Sequence, residues 1–493
     1  MVFQMTPPRV DRLRRLATET HDILILGGGV NGAGVARDLA LRSRLTQHPL
    51  KLALIDKGHF ASGTSGKNSQ LIHGGLRYLK YLEVRLVREA LRERSTLLEI
   101  APHLVEPLAF LIPMYSHFAR VFYGTGLWMY DTLAGQRNIS PHRSISLAEV
   151  SRLEPGLKQQ DLVSAAIFYD GRVHSARFVL ENLREAEDQG AVLANYVRAR
   201  HFRKEAGGEW TVDATDELTG TALTLRARQL INTTGPWAGE SFPRDNQLRL
   251  VRGSHLILPR LNQSDNAIAY FEDNGRIIFF IPWGSRGDLT LLGTTDVDHD
   301  GGPDDVRISP EETDYLLGIA ADLFPESRGI QPVASYSSLR PLIRDDSGSA
   351  TATSREHQIW RGADGVVHVS GGKYTTYRVM SEEAADLALE HIAPDLASVH
   401  ETAKHALNGN TREKIKALLD VAKNAAERHV VKDYGVRSTA VLERAHKLGS
   451  IERAQIEEAR QREWVEKRRD LMEVSTYWAH EGRPVEFPPD LPA

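Results

Sequence analysis

Three glycines at the end of a short apolar run could bind the phosphates of a dinucleotide. Gly27, Gly29 and Gly32 follow the apolar residues 23–26 with the spacing G-x-G-x-x-G. Missing side chains let the chain turn sharply at the first position, approach phosphate oxygens at the second and pack helix on strand at the third. The small-residue helix that follows would add unpaired N–H groups and a partial positive charge at its N-terminus.

An acidic residue follows where a ribose contact is expected. The second apolar run, residues 50–55, ends on Asp56, whose carboxylate could accept hydrogen bonds from an adenosine ribose. A glycine pattern alone also ends ordinary strands. Strand, turn, helix and acid in this order favour a dinucleotide site over a β-α-β unit that binds nothing.

The composition excludes several classes of protein. At 493 residues the chain exceeds one compact core, so we expect two or three domains. It has no cysteine, which excludes disulfides, thiolate metal ligands and thiol nucleophiles, and its histidines show no paired ligand spacing, so we expect no metal site. With 61 basic and 65 acidic residues, the net charge of −4 argues against nucleic-acid binding. The absence of cysteine favours the cytoplasm.

Contact with a membrane would have to be peripheral, because no apolar run approaches the length of a spanning helix. Residues 9–16 are basic, and Val10, Leu13 and Leu16 recur at helical spacing. Such a segment could lie on an anionic membrane surface. A solvated N-terminal extension explains the same pattern equally well.

Ordered motifs along most of the chain resemble one known family. Residues 65–91 contain LIHGGLRYL and RLVREAL. Further motifs follow at residues 235–237, 252–255, 293–296, 340–342 and 371–378. In this order they are similar to the FAD-dependent glycerol-3-phosphate dehydrogenases, over roughly residues 21–389. Ordered motifs are far more specific than the glycine pattern alone.

The resemblance implies an α/β fold with two interleaved domains. An FAD-binding, Rossmann-like domain would alternate with a mixed-sheet substrate domain, as in glycine and D-amino-acid oxidases. We assign residues 1–20 to an N-terminal extension, 21–394 to the oxidoreductase region and 395–493 to a C-terminal helical domain. Alternating apolar residues at about 244–335 predict the sheet of the substrate domain. The C-terminal domain is short and divergent for the family, so no role is carried over to it.

The resemblance also implies which residues hold FAD. The polar loop 60–70 would hold the pyrophosphate and the flavin edge, and backbone of Val197 would meet the adenine. The turn after Gly372 would aim N–H groups at the charge on the reduced flavin. The expected contacts are Gly27, Gly29, Asn31, Gly32, Asp56, Thr64, Ser65, Ser69, Leu71, His73, Val197, Gly235, Gly372, Lys373 and Thr375.

A phosphorylated substrate calls for fixed arginines, because a guanidinium presents a planar fork to phosphate oxygens. For any one of these arginines, a salt bridge is the more common explanation. As a set at family positions, these side chains favour binding of phosphate or hydroxyl groups. By the resemblance, the residues around the substrate are Arg77, Tyr78, Arg340, Arg355 and Lys373.

Alcohol oxidation also needs a group that accepts the hydroxyl proton. His73 and His255 are candidates because imidazole titrates near neutral pH, and a buried structural histidine is the competing explanation for each. We prefer His255. The expected catalytic residues are therefore His255, Lys373 and Arg340.

The resemblance implies oxidation of sn-glycerol 3-phosphate to dihydroxyacetone phosphate, with hydride passing to flavin N5 and electrons to quinone or another acceptor. It also implies peripheral contact with the cytoplasmic face of the membrane and leaves a homodimer open. Three alternatives remain: another polyol phosphate as substrate, an amine as substrate, or a flavin-binding protein without turnover.

Overall fold

The computed structural model describes residues 5–81, 83–242, 248–272, 275–343, 357–485, 487 and 491–492. The side chains of Arg77, Lys80, Tyr81 and Ser241 fall outside this description.

Eighteen strands are found among the described residues. In chain order they are β1 (Thr20–Leu26), β2 (Leu52–Ile55), β3 (Leu71–Ile72), β4 (Val105–Met114), β5 (Arg143–Ile145), β6 (Ser164–Val173), β7 (Val192–Ala194), β8 (Val197–Lys204), β9 (Trp210–Asp216), β10 (Ala222–Asn232), β11 (Leu248–Pro259), β12 (Ala267–Phe271), β13 (Ile277–Trp283), β14 (Leu289–Gly293), β15 (Val297–Asp298), β16 (Ala334–Ile343), β17 (His357–Arg361) and β18 (Val367–Gly371).

The described helices alternate with these strands and are concentrated again at the C-terminus. In chain order they are α1 (Arg9–Thr18), α2 (Val30–Thr46), α3 (Val84–Ile100), α4 (His117–Ala134), α5 (Leu147–Leu153), α6 (Ser175–Asp188), α7 (Ala238–Ser241), α8 (Pro310–Leu323), α9 (Tyr377–Leu389), α10 (Arg412–Val421), α11 (Ala425–Tyr434), α12 (Ser438–Leu448), α13 (Ile451–Arg462) and α14 (Arg468–Asp470). None of these helices combines the length and apolarity that crossing a bilayer requires.

The first sheet carries the predicted dinucleotide turn. Its strands lie in the order β17-β18-β10-β1-β2-β7, with β9 and β8 continuing from β10. The central strands are parallel, and Ile25 of β1 lies between Leu54 of β2 and Ile231 of β10. Helices α2, α6 and α9 pack together beside it. Gly34 makes this possible, because a Cβ there would lie 2.2 Å from Ser381 Oγ on α9. The predicted Rossmann-like domain is confirmed.

The second sheet extends beyond the predicted insertion at 244–335. Its strands lie in the order β15-β11-β14-β13-β12-β4-β6-β3, with β16 paired to β11 and β5 to β6. Two separate segments therefore build it, residues 71–173 and 248–343. They join where Ala267 of β12 pairs in parallel with Phe110 of β4. Pairing between such distant segments leaves no local pattern in the sequence.

The segment expected to be an N-terminal extension is helix α1, and it packs on the first sheet. Leu16 is fully buried and Arg12 is nearly so. Arg12 donates to the carbonyl of Leu193 and to Glu466, and Arg9 binds Asp216 at 2.5 Å. Two of its basic side chains are therefore used inside the protein.

The C-terminal helices dock on α6 through buried ion pairs. Arg177 of α6 binds Glu463 at 2.8 Å, and Arg437 of the C-terminal segment pairs with Glu181 of α6. Beyond them, the hydroxyl of Tyr477 donates to the carbonyl of Gly66 at 2.8 Å, which lies in the polar loop. The C-terminal segment therefore supports the region predicted to hold the cofactor.

Candidate active site

A cavity of about 940 Å³ lies between the two sheets. One side is formed by the carboxyl ends of β1, β2 and β18, and the other by β4, β6, β11 to β13 and β16. In open α/β sheets, ligands bind at the carboxyl ends of the strands. The volume is at the upper end of the range found for ligand pockets.

The glycine turn leaves room for a pyrophosphate at this cavity. Gly27 has φ +101°, and a Cβ on Gly32 would lie 1.9 Å from the Gly27 carbonyl oxygen, so both positions require glycine. Gly29 lines the cavity, and a Cβ there would meet only the Ser65 side chain, at 3.0 Å. Ser65 Oγ accepts from the Val30 N–H at the start of α2, at 2.9 Å. These residues fit a bound dinucleotide, with its phosphates at the N-terminus of α2.

Asp56 lies at the end of β2 and reaches the same cavity. Its carboxylate accepts from the N–H groups of Gly28 and Gly58, at 2.7 and 2.8 Å. Burial raises the pKa of Asp56 to about 6. The Val197 N–H donates to the Asp56 carbonyl at 2.8 Å, so the predicted ribose and adenine contacts are adjacent.

The polar loop connects the two sheets across the cavity. Thr64 Oγ1 donates to the carbonyl of Leu339 at 2.6 Å, and Ser69 Oγ lies 2.9 Å from His255 Nε2. The Tyr336 hydroxyl donates to the carbonyl of Asn68 at 2.7 Å. The loop therefore orders residues of β11 and β16 as well as lining the cavity.

Lys373 lies over the ring of Tyr78, with its Nζ 3.7 Å from the ring centroid. At this distance the ammonium is attracted to the face of the ring. Both residues line the cavity. The two turns that carry them are joined because the His73 N–H donates to Thr375 Oγ1 at 3.2 Å. This contact brings two of the family motifs together.

Arg340 is held by three groups on the neighbouring loop. Its Nη1 binds Asp296 at 2.6 Å and the Thr295 carbonyl at 3.1 Å, while Nη2 donates to Thr294 Oγ1 at 2.9 Å. The guanidinium crosses Gly253, where a Cβ would lie 2.4 Å from Nη2. The salt-bridge explanation for this arginine is therefore also correct, and the bridge fixes the guanidinium at the cavity wall.

His255 is 2% exposed and lines the cavity beside Arg340. Burial, with a further contribution from the positive charge of Arg340, lowers its pKa to about 3. The ring is therefore neutral at physiological pH. Its Nε2 lies within hydrogen-bond distance of Ser69 Oγ, which orients the imidazole.

Most of the predicted site residues meet in this one cavity. Gly32 and Thr375 lie behind its wall and act through packing and hydrogen bonds. Arg355 and the side chain of Arg77 fall outside the described residues. The predicted residues that line the cavity are Gly27, Gly29, Asn31, Asp56, Thr64, Ser65, Ser69, Leu71, His73, Tyr78, Val197, Gly235, His255, Arg340, Gly372 and Lys373.

The sequence did not predict two parts of the wall. Lys467, Arg469 and Asp470 approach it from the C-terminal segment, and no spacing in that divergent region signals this. An apolar wall formed largely by strands of the second sheet was also missed, although the alternation along β12 and β13 could have revealed it. Its residues are Phe110, Phe168, Ala269, Phe271, Ile277 and Phe279.

Curated relatives share most of this chain. A glycerol-3-phosphate dehydrogenase 2 from Mycobacterium tuberculosis is 36% identical over 78% of the chain, which spans 66% of the length of that relative. The aerobic glycerol-3-phosphate dehydrogenase of Escherichia coli is 32% identical, covering 88% of this chain and 87% of the relative. A D-erythritol 1-phosphate dehydrogenase from Brucella abortus is 36% identical, and the match covers 77% of this chain and 75% of the relative.

Solved structures and a family model agree with these relatives. A glycerol-3-phosphate dehydrogenase from Bacillus halodurans complexed with FAD superposes with a TM-score of 0.74, at 26% identity, over 95% of this chain and 88% of that one. A glycine oxidase from Geobacillus kaustophilus shares the fold, with a TM-score of 0.59 at 22% identity over 78% of this chain and all of that one. The model of the FAD dependent oxidoreductases matches residues 22–387. The chain therefore belongs to the FAD dependent oxidoreductase family, and FAD is its cofactor.

Proposed function

We propose that the protein oxidises the secondary alcohol of a phosphorylated polyol, with sn-glycerol 3-phosphate as substrate and dihydroxyacetone phosphate as product. One observation carries the proposal: Lys373, Arg340 and neutral His255 line the same cavity as the dinucleotide turn. Two cations suit an anionic substrate, and a neutral imidazole can accept a proton.

Each side chain has a separate task in this reaction. The chemistry supplied by bound FAD is acceptance, at N5, of the hydride from C2. His255 takes the hydroxyl proton as the C2–O bond becomes a carbonyl, and Ser69 holds the ring in place for that transfer. Arg340, fixed by Asp296, orients the phosphate end. Lys373 places a positive charge where negative charge develops.

A second polyol phosphate is favoured by one observation. The D-erythritol 1-phosphate dehydrogenase is as similar to this chain, at 36% identity, as the mycobacterial glycerol-3-phosphate dehydrogenase. Both relatives are named for a phosphorylated polyol. The amine alternative is supported only by structures that share the fold.

For the electron acceptor we propose a membrane quinone, reached at the cytoplasmic face. The apolar wall of the cavity, with Phe271, Ile277 and Phe279, suits an apolar acceptor. A homodimer remains an expectation, which sedimentation velocity of the purified protein tests.

Anaerobic rapid mixing tests the substrate. The FAD-loaded protein is mixed in turn with sn-glycerol 3-phosphate, erythritol phosphate, glycerol and glycine, and flavin bleaching is followed. We expect the fastest bleaching with sn-glycerol 3-phosphate. Faster bleaching by erythritol phosphate would select the second candidate, and bleaching by glycine alone would overturn the proposal. A flavin that none of them bleaches would indicate a binding protein without turnover.

A further inference from the structure

Glu312 is a carboxylate buried where helix α8 packs on strand β11. It lies in the first turn of α8 and is 5% exposed. Its Oε2 accepts from the Ser309 N–H at 3.0 Å, and its own N–H donates to Ser309 Oγ at 3.2 Å. This capping box satisfies backbone groups at the start of the helix. The other oxygen, Oε1, takes no part in the cap and has partners elsewhere in the protein.

The carboxylate holds the two residues that flank Gly253 on β11. Its Oε2 forms an ion pair with Arg252 Nη2 at 2.9 Å, and its Oε1 accepts from Ser254 Oγ at the same distance. Gly253, between these two residues, is the bare backbone that the guanidinium of Arg340 crosses. Glu312 therefore anchors the stretch of strand on which that cation lies.

The same carboxylate holds the loop whose oxygens bind Arg340. Thr295 Oγ1 donates to Glu312 Oε1 at 2.6 Å and accepts from the Ser254 N–H at 2.9 Å. The Thr295 carbonyl accepts from Arg340 at 3.1 Å, and the next residue, Asp296, forms an ion pair with the guanidinium. One buried carboxylate therefore connects the strand beneath the guanidinium with the loop that binds it.

We propose that Glu312 is a positioning residue for the phosphate of the substrate and acts through Arg340. A guanidinium that binds phosphate through two parallel hydrogen bonds needs a fixed plane as well as a fixed charge. Glu312 does not itself line the cavity, so its effect on a bound phosphate passes through the residues that it holds. The inference rests on the proposed function and deepens it, because it names the group that fixes the cation assigned to the phosphate.

A role in capping α8 explains this carboxylate less well. The cap uses Oε2, whereas Oε1 accepts from the hydroxyls of Ser254 and Thr295. Burial of a carboxylate is unfavourable unless the charge is paired and hydrogen-bonded, and a cap alone would not require it. Ser309→Ala separates the two roles, because it removes the capping hydroxyl and leaves every partner of Oε1 in place.

Two variants remove the proposed link. Glu312→Gln removes the charge that pairs with Arg252, and Thr295→Val removes the hydroxyl that joins the loop to the carboxylate. With a water-soluble dye as electron acceptor, we expect each to raise KM for sn-glycerol 3-phosphate roughly tenfold, because small displacements of a positioning group strongly affect its action. The value of kcat/KM for glycerol, which has no phosphate, should change little. Thr295→Ser keeps the hydroxyl and should retain the KM of the parent.

The matched control for Glu312→Gln is Glu154→Gln. Glu154 is also a buried carboxylate, and it accepts from the N–H groups of Gln263 and Ser264 at 2.8 and 3.1 Å, but it does not line the cavity. This control and Ser309→Ala should lower Tm and leave KM unchanged. The threonine pair keeps the test decisive if Glu312→Gln does not fold, and FAD content is measured in every variant.

Binding of inorganic phosphate to the FAD-loaded protein, measured by titration calorimetry, separates this inference from the proposed substrate. We expect Kd for phosphate to rise roughly tenfold in Glu312→Gln and in Thr295→Val, in parallel with KM. Unchanged Kd and KM in both variants would overturn the positioning role and leave the proposed substrate standing. An equal rise in the Glu154 and Ser309 controls would also overturn it, since general loss of stability would then explain the effect.

The opposite combination has a different meaning. A parent that does not oxidise sn-glycerol 3-phosphate, but binds inorganic phosphate with an affinity that depends on Glu312 and Thr295, would lose the proposed substrate. The positioning role would stand, because the anion would still be bound by a cation that the buried carboxylate fixes.

Discussion

The guanidinium of Arg340 crosses the bare backbone of Gly253 on the adjacent strand. A Cβ on Gly253 would lie 2.4 Å from Nη2 and 2.6 Å from Cζ of that arginine. The absence of a side chain at one residue therefore sets the position of the cation that we assign to substrate.

The change Gly253→Ala should displace that cation without removing it. We expect KM for sn-glycerol 3-phosphate to rise roughly tenfold or more, because charge-assisted hydrogen bonds contribute about 1.5–3 kcal/mol. FAD content should be unchanged. Gly318→Ala is the control, since a Cβ there meets nothing within 4 Å. Steady-state kinetics with the dye test this, and an unchanged KM would contradict the role of Arg340.

Arg340→Ala should narrow the difference between the rates at which sn-glycerol 3-phosphate and glycerol reduce the flavin. Energy from the unreactive phosphate orients C2 for reaction, so the phosphate should lose its advantage in rate as well as in binding. We expect a loss of roughly 10- to 100-fold for the phosphate and a smaller loss for glycerol. The control is Arg249→Ala, whose arginine pairs with the half-exposed Asp298 on the same sheet. Rapid-mixing rates of flavin bleaching with both alcohols make the comparison.

Lys373→Met should slow flavin reduction by either alcohol, because its charge would stabilise the reduced cofactor whichever donor is used. The flavin reduction potential should fall as well. Lys204→Met is a matched control: that lysine also lies over an aromatic ring, Trp210, but does not line the cavity. An unchanged potential in the Lys373 variant would rule out this electrostatic role.

Protonation of His255 should not slow flavin reduction as the pH is lowered from 8 to 5. Its folded-state pKa is about 3, so the imidazole stays neutral and able to accept a proton throughout that range.

The lowered pKa of His255 also affects the stability of the fold. In the unfolded chain this histidine binds a proton below its ordinary pKa of about 6.5, whereas in the folded protein it stays neutral. The contribution of the buried neutral ring to the free energy of unfolding is therefore full above that pH and is lost progressively as pH falls towards 3.

His255→Gln supplies the test of that assignment. The variant should reduce its flavin more slowly at every pH, with no new dependence between pH 5 and pH 8. A rate that declines in the parent below about pH 6.5 and becomes flat in the variant would show that His255 titrates near its ordinary pKa. That result would contradict the buried, neutral imidazole.

Tyr477→Phe should loosen the C-terminal segment from the cofactor site. The hydroxyl donates to the Gly66 carbonyl at 2.8 Å and accepts from the Ala176 N–H at 3.1 Å. Leaving these buried groups unpaired costs about 1–3 kcal/mol. We expect a lower Tm and faster release of FAD. Tyr115→Phe, which loses one bond to the Lys158 carbonyl away from the cavity, should lower Tm without changing FAD release.

The sequence by itself determined the dinucleotide turn. Gly27, Gly29, Gly32 and Asp56 act within one continuous β-α-β unit, so their spacing already implies their geometry. The motif at residues 371–378 could also be recognised from the sequence, by its composition and its place in the order of the family motifs. Local steric rules decide such features, because Gly27 and Gly32 are required by neighbours a few residues away or at the end of the adjoining strand.

Only the tertiary structure decided what the remaining residues contact. The sequence could not show that Asp296 holds Arg340, that β4 pairs with β12, or that Lys467 reaches the cavity from the C-terminal segment. Helix α4 shows the limit most directly. Its apolar spacing is the same whether a face is buried or exposed, and Phe118 becomes exposed because only the opposite face finds a sheet to cover. Contacts between distant segments depend on which surfaces the whole chain leaves available, and no local pattern records that.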